Sequence, residues 1–199
     1  MTESLIFRVI TLCLLLLFVA NRAYYTRKFP VQENETVTKM STGPMTVLTS
    51  LLSLVALGGS VFYIFFPSLI DWASAPFPFW LRWLGVLIAI SGFGLLEWSQ
   101  RALAGNWSDQ PRLKKEQTLV QSGPYQWMRH PIYTAFLLIL GSTLLITANW
   151  LVGLAWLSSV GLEAVSRIQY EETIMQERFG SDYELYRERT GKLLPKFGR

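Results

Sequence analysis

RHPIYTAFLLILGSTLLITANWLVGLAWLSSVGLEAV, residues 129–165, decides the architecture. Two apolar runs, 131–147 and 150–165, are joined by no more than the ANW at 148–150. So short a connection reads as a tight helical hairpin. A helix spanning a bilayer needs about 20 residues. Both runs are therefore short, and are lengthened by flanking residues or sit where the bilayer is thin. The only histidine of the chain, His130, stands at the threshold of this hairpin, between Arg129 and Pro131.

Three further apolar stretches precede the hairpin, at about 5–20, 45–66 and 79–98. The second and third have spanning length. Of the 199 residues, 51% are hydrophobic and only 16% charged, with eight tryptophans and a mean hydropathy of +0.29. A soluble domain carries about 25% charge. The expectation is an all-α, polytopic membrane protein with about five transmembrane helices and a helical cytoplasmic C-terminal region, without a Rossmann domain. Residues 1–100 hold helices one to three, and 101–199 form the chemical half. The first stretch lacks the basic n-region and good cleavage site of a signal peptide, the nearest match being Ala-x-x-Ala at 20–23.

Charge sets the orientation. Sixteen of the eighteen basic residues fall after stretches one, three and five, among them Arg22, Lys39, Arg101, Lys114, Arg129, Arg167 and Arg199. The loops around 67–78 and 147–150 have none. Arg8 and Arg82 are the two left over, near the outer ends of their segments. Basic loops stay in the cytoplasm, so the expectation is a cell-membrane protein with its N-terminus outside and its C-terminus and site inside. The sequons at Asn34 and Asn106 then face the cytoplasm as chance matches. The net charge of +4 comes without the basic, aromatic-interleaved stripe of a nucleic-acid binder. The single cysteine, Cys13, excludes an internal disulfide and reads as a packing residue.

Pro111, Gly123 and Pro124 mark the loop between the third and fourth spans as irregular. The fifth helix can continue through SRIQYEETIMQER and stop near Gly180, a good C-cap. SDYE at 181–184 then reads as a capping box, Ser181 with Glu184, opening a short helix that carries Tyr183 and Tyr186.

On the extension of helix five, Glu163, Arg167 and Glu171 recur every fourth residue. They share one face, either as a solvated ladder of ion pairs or as a charged site at the membrane edge. Pro131 suits the first turn of a helix, which puts His130 at its N-terminal end, where free N–H groups favour an anion. His130 there either binds a polar ligand or caps the helix. One histidine with no nearby cysteine is too few ligands for a metal site. There is no dinucleotide fingerprint after a strand, no P-loop, and no serine in a nucleophile elbow. GFG at 92–94 lies in an apolar helix and reads as a packing contact. Glu97 and Arg101 read as an interfacial i, i+4 pair.

QTLVQSGPYQWMRHPIY (117–133), RIQYEE (167–172) and FGSDYELY (179–186) together resemble the isoprenylcysteine carboxyl methyltransferase family. The resemblance spans about 95–195 and extends to related membrane methyltransferases, including phospholipid N-methyltransferases. It implies S-adenosylmethionine as methyl donor, with S-adenosylhomocysteine as product. Carried over by motif, Gln110, Gln117, Thr118, Leu119, Val120 and Tyr125 would line the cofactor, continued by His130, Pro131, Ile132 and Tyr133. Glu171 would pair with the cofactor's amino group and Arg167 would hold the substrate carboxylate. The implied partner is a lipid-attached carboxylate that enters from the bilayer. This sequence has Gln117 where the eukaryotic loop has histidine, and the family's run of glutamates is reduced to Glu171 and Glu172.

The chemistry agrees. A carboxylate with a pKa of about 3.5 is ionised at neutral pH, so it needs alignment with the methyl carbon and no general base. A protonated amine would need a base, Glu172 or His130. Arg167 favours a carboxylate acceptor over an amine. A non-enzymatic scaffold or transporter is the alternative of another class. It predicts no cofactor binding, and the inverted repeats of transporters are not seen.

Overall fold

The computed structural model describes residues 2–30, 36–37, 43–106, 112–113 and 118–196, with backbone alone at 2, 3, 36, 37, 112 and 113. Three long helices come first: α1 (Thr2–Lys28), α2 (Pro44–Phe65) and α3 (Phe79–Leu103). The hairpin follows as α4 (Pro131–Gly141), α5 (Thr143–Thr147) and α6 (Trp150–Phe179), and α7 (Ser181–Arg189) closes the series. Among the described residues four helices are long and apolar enough to cross a membrane, and the apolar segment Pro131–Thr147 is shorter. This is an all-helical polytopic membrane protein. The fourth span is thus a broken rod instead of one continuous helix. At the break the hydroxyls of Ser142 and Thr143 donate to the carbonyls of Ile139 (2.7 Å) and Leu140 (2.5 Å). Such local bonds compete with the helical ladder.

The ANW connection is the tight hairpin expected. Ala148 takes the left-handed conformation (φ 49°). Asn149 accepts from the Val152 N–H at 3.1 Å and caps α6. Its amide donates to the Ile70 carbonyl at 3.0 Å, tying the hairpin tip to the loop after α2. As expected, α6 runs on to Phe179 and ends at Gly180, with φ 51°. The capping box does not form. Gly180 is the residue before α7, and its carbonyl accepts from Tyr183 N (3.2 Å) and Glu184 N (3.3 Å), so Ser181 already lies inside the helix. Glu184 instead accepts from the Gln176 amide at 3.0 Å. The loops add a two-residue antiparallel ladder, β1 (Thr36–Val37) against β2 (Arg112–Leu113). Hydrophobic patterning gave no sign of it.

Small residues let the helices approach. A Cβ on Gly85 would lie 2.8 Å from Leu145 Cβ, and one on Gly92 would lie 2.8 Å from Ile139 Cγ1. Spaced seven apart, these glycines form the groove of α3 that receives α4 and α5. Of GFG, then, Gly92 is the packing contact and Gly94 faces open space. Phe7, Ala89, Leu96, Ala135, Ile139 and Ile146 form the core beside this seam. Lipid supplies little hydrophobic drive between helices, so polar ties matter. Asn21 and Gln100 exchange two 3.0 Å amide bonds between α1 and α3, and the hydroxyls of Ser53 and Ser159 meet at 2.6 Å between α2 and α6. The outside is apolar, with Leu54 65% and Ile90 61% exposed. Cys13 also lies on this exposed face, not in the packing. Its position on α1 is one that turns outward.

Candidate active site

Four pieces of chain converge at the end of the bundle where α4 begins. A helical turn at Gly123–Gln126 packs against α3. Gly123 has φ 61°, and a Cβ there would sit 3.1 Å from both Ala102 Cβ and the Trp98 indole nitrogen. This turn delivers Tyr125, which is buried. Pro131 then opens α4, with His130 as the residue before its first turn. The C-terminal tail lies alongside. The Arg129 and His130 N–H groups donate to Gly191 O (2.8 Å) and Lys192 O (3.1 Å), and Gly191 N donates to Trp127 O (3.0 Å). From α7, the Tyr186 hydroxyl donates to the Tyr125 carbonyl at 2.7 Å.

His130 is buried between two carboxylates. Its Nδ1 lies 3.5 Å from Glu171 Oε2 and its Nε2 lies 3.4 Å from Glu172 Oε1. Nε2 is off-line for a hydrogen bond. Burial works against the charged ring, but the Glu171 and Glu172 carboxylates outweigh it and raise the pKa above its ordinary value. Glu172 is held by Arg129 Nε at 2.9 Å and Lys192 Nζ at 3.3 Å. Arg129 also donates to the Thr190 carbonyl at 2.6 Å. A cluster rich in cations and carboxylates thus replaces the simple anion site that the helix N-terminus suggested. Burial raises the phenols of Tyr183 and Tyr186, the latter to about 12. Both stay protonated and able to donate.

The stripe on α6 divides. Arg167 Nε pairs with Glu163 at 2.9 Å, the ion-pair ladder expected of the i, i+4 spacing. Glu171 accepts a 2.5 Å bond from the Tyr133 hydroxyl on α4. Arg167 and Glu171 both line a cavity of about 340 Å³. Thr118, Leu119, Val120, Tyr125, His130, Ile132 and Tyr133 share its wall. Thr118 is clasped by Asn106, which donates to its hydroxyl (3.0 Å) and accepts from its N–H (3.3 Å). Pro131 is buried at the helix start and does not line the cavity. Gln110 and Gln117 lie outside the described residues. Farther out, Glu97 and Arg101 form the expected pair at 2.7 Å.

The cavity follows α6 from Met175 to Trp156, about 28 Å at 1.5 Å per residue. One end is polar, with Glu171, Arg167, His130 and Tyr133. The other is mostly apolar, with Phe18, Leu140, Trp156 and Val160. Phe18 and Arg22 of α1, Ser53 of α2 and Tyr183 of α7 also contribute to the wall. Sequence reasoning missed the first three: Phe18 and Ser53 sit in apolar runs, which carry no mark of which face meets a cavity, and Arg22 read only as a basic residue after the first run. Tyr183 was visible only as a residue of the last helix.

Fold and site together define a helical membrane protein with an amphipathic cavity at one end of its bundle. The comparisons place it further. Residues 83–177 match the model of the isoprenylcysteine carboxyl methyltransferase (ICMT) family. The chain is 28% identical over 134 residues to protein-S-isoprenylcysteine O-methyltransferase B of Arabidopsis thaliana, covering 66% of this chain and 65% of that protein. It is 28% identical over 118 residues to the Homo sapiens protein-S-isoprenylcysteine O-methyltransferase, covering 58% of this chain and 42% of that one. The chain thus spans less than two thirds of these relatives' length. A solved structure of the eukaryotic intramembrane Ras methyltransferase ICMT superposes with a TM-score of 0.68 at 20% identity, over 97% of this chain and 67% of that one. Over residues 83–177 the chain is thus similar to the isoprenylcysteine carboxyl methyltransferase family, and its fold is that of the solved ICMT structure.

Proposed function

We propose that the protein is an S-adenosylmethionine-dependent methyltransferase that esterifies the carboxylate of a lipid-linked, isoprenylcysteine-like substrate. One observation carries the reading: Arg167 and Glu171 stand one helical turn apart in a cavity that continues into an apolar run. A cation for one carboxylate, an anion for one ammonium and an apolar channel match the two reactants.

The cavity's residues suit the cofactor. Its volume lies in the range of small-molecule sites, about 300–1,000 Å³. Glu171 offers a carboxylate for an ammonium, with its orientation set by Tyr133. Leu119, Val120 and Ile132 offer apolar wall, and the buried His130 Nε2 offers a polar atom that makes no hydrogen bond among the described residues. When bound, S-adenosylmethionine supplies an electrophilic methyl group on a sulfonium. The chain's own task is alignment. Arg167, oriented by Glu163 through its Nε, grips the acceptor carboxylate by charge-assisted hydrogen bonds. The apolar run beside Phe18, Val160 and Trp156 takes the lipid chain, so the polar end of the substrate arrives beside the donor. Positioning of this kind supplies several kcal/mol of rate acceleration without proton transfer.

In this proposal residues 1–100 build the membrane scaffold and 101–199 carry the chemistry. The basic loops put the site on the cytoplasmic side of the cell membrane. The test is incubation of detergent-purified protein with methyl-labelled S-adenosylmethionine and N-acetyl-S-farnesylcysteine. Base-labile volatile label is expected from the wild type and is lost in Arg167→Ala. Cofactor binding without such label, and with label on an amine lipid, would replace the carboxylate reading by N-methylation. Folded protein that neither binds nor turns over would leave a non-enzymatic scaffold.

A further inference from the structure

The end of the bundle opposite to His130 holds two arginines. Arg8 on α1 donates from Nε to the Ile64 carbonyl at 2.6 Å. Arg82 on α3 donates from Nε to the Ile146 carbonyl at 3.0 Å and from Nη2 to the Tyr63 hydroxyl at 2.8 Å. Its guanidinium lies over the Phe7 ring, 3.8 Å from the centroid. Both side chains therefore meet neighbouring residues of α2, Arg8 at Ile64 and Arg82 at Tyr63, and Arg82 also meets Phe7, the residue before Arg8 on α1. Among the described side chains no carboxylate lies within 4.0 Å of either. Asp71, in the loop at this end, is exposed and unpaired with them.

Two like charges at a membrane boundary need compensation. Part comes from the helix ends. Ile64 lies in the last turn of α2 and Ile146 in the last turn of α5. Each C-terminal end carries about −0.5 charge, which leaves about +1 on the pair. That is the charge one phosphodiester neutralises. Each guanidinium has five N–H donors. Arg8 uses one and Arg82 two on protein acceptors.

The surroundings select a lipid over a free anion. Phe79 and Trp83 of α3 pack edge-on against Phe7, each with ring centroids 5.7 Å apart. Both are exposed, as is Leu87 one turn farther along α3. Aromatic residues of this kind sit at headgroup level in membrane proteins, and the apolar face beyond them would receive acyl chains. We propose that Arg8 and Arg82 form a binding site for the phosphodiester headgroup of a membrane lipid, at the end of the bundle away from the candidate active site.

The test uses full-length protein in neutral detergent, with three probes: dioleoyl phosphatidylglycerol, dioleoylglycerol and inorganic phosphate. The unfolding midpoint is read against probe concentration, and native mass spectrometry counts retained lipid. Phosphatidylglycerol should raise the midpoint of the wild type, and the other two probes should not. Arg8→Gln and Arg82→Gln should each weaken the apparent affinity at least tenfold, with Arg8→Lys in between. If Arg82→Gln does not fold, Arg8→Gln decides, since it gives up one carbonyl bond. A phosphatidylglycerol shift unchanged in the glutamine variants would overturn the site. An equal shift with inorganic phosphate would overturn the lipid assignment.

Discussion

Replacing Glu171 by glutamine separates charge from shape at the candidate cofactor site. The side chain keeps its length and can still accept from the Tyr133 hydroxyl, now 2.5 Å from Oε1. What it loses is the negative charge proposed to face the cofactor's ammonium. A hydrogen bond to a charged group contributes about 1.5–3 kcal/mol, which corresponds to about 10- to 150-fold in affinity. The Glu171 side chain is 28% exposed, so solvent screening places the loss at the lower end of that range. Calorimetric titration with S-adenosylhomocysteine should therefore give a dissociation constant raised about tenfold, in protein whose unfolding midpoint is little changed. Tyr133→Phe removes the phenol that orients the carboxylate and keeps the charge, so its effect should be smaller, on the order of a few-fold. An unchanged constant in folded Glu171→Gln would refute the assignment.

Three further outcomes follow from the packing and the charges. His130 has a raised pKa in the fold, so the folded chain binds its proton more tightly than the unfolded chain does. That contribution is full below about pH 6.5, the ordinary histidine value, and fades as pH rises through the folded value. His130→Gln should accordingly lower the unfolding midpoint more at about pH 6 than at about pH 9. Gly85→Leu should destabilise by about 1–3 kcal/mol through overpacking, because its Cβ would stand 2.8 Å from Leu145 Cβ and 3.0 Å from Ile146 N; Gly94→Leu, with open space around it, is the control by thermal unfolding. Gln100→Leu breaks both amide bonds to Asn21 and leaves that half-buried amide without them, a loss of about 1 kcal/mol, measurable by the same method.

Much of this molecule was legible in the chain. Long apolar runs, the ANW hairpin and the stop at Gly180 follow from local physics: backbone groups in lipid must bond within their own helix, and a residue at positive φ ends it. The RHP-x-Y and EE motifs located the candidate site, because reacting groups need particular residue types at particular spacings. The break at Ser142 and the failed capping box were not legible. Each turns on one or two hydrogen bonds whose alternatives are almost equal in energy.

Tertiary structure alone decided the rest. Spacing along α6 offered Glu171 a partner at Arg167, yet Tyr133 of another helix takes the hydrogen bond. In the sequence Glu172 reads only as a base for an amine acceptor, and the fold shows it held by Arg129 and a lysine from the C-terminal tail. Phe18 and Ser53 sit in runs where every neighbour is apolar or small, and only the rotation of α1 and α2 against α6 turns them to the cavity. Small residues at the contacts allow such helices to touch, as at Gly59 of α2, where a Cβ would lie 3.2 Å from Val152 Cγ2 on α6. A sequence determines that a segment belongs in lipid from its own solvation. Which face meets which depends on close contact between segments far apart in the chain, and that information exists only once they pack.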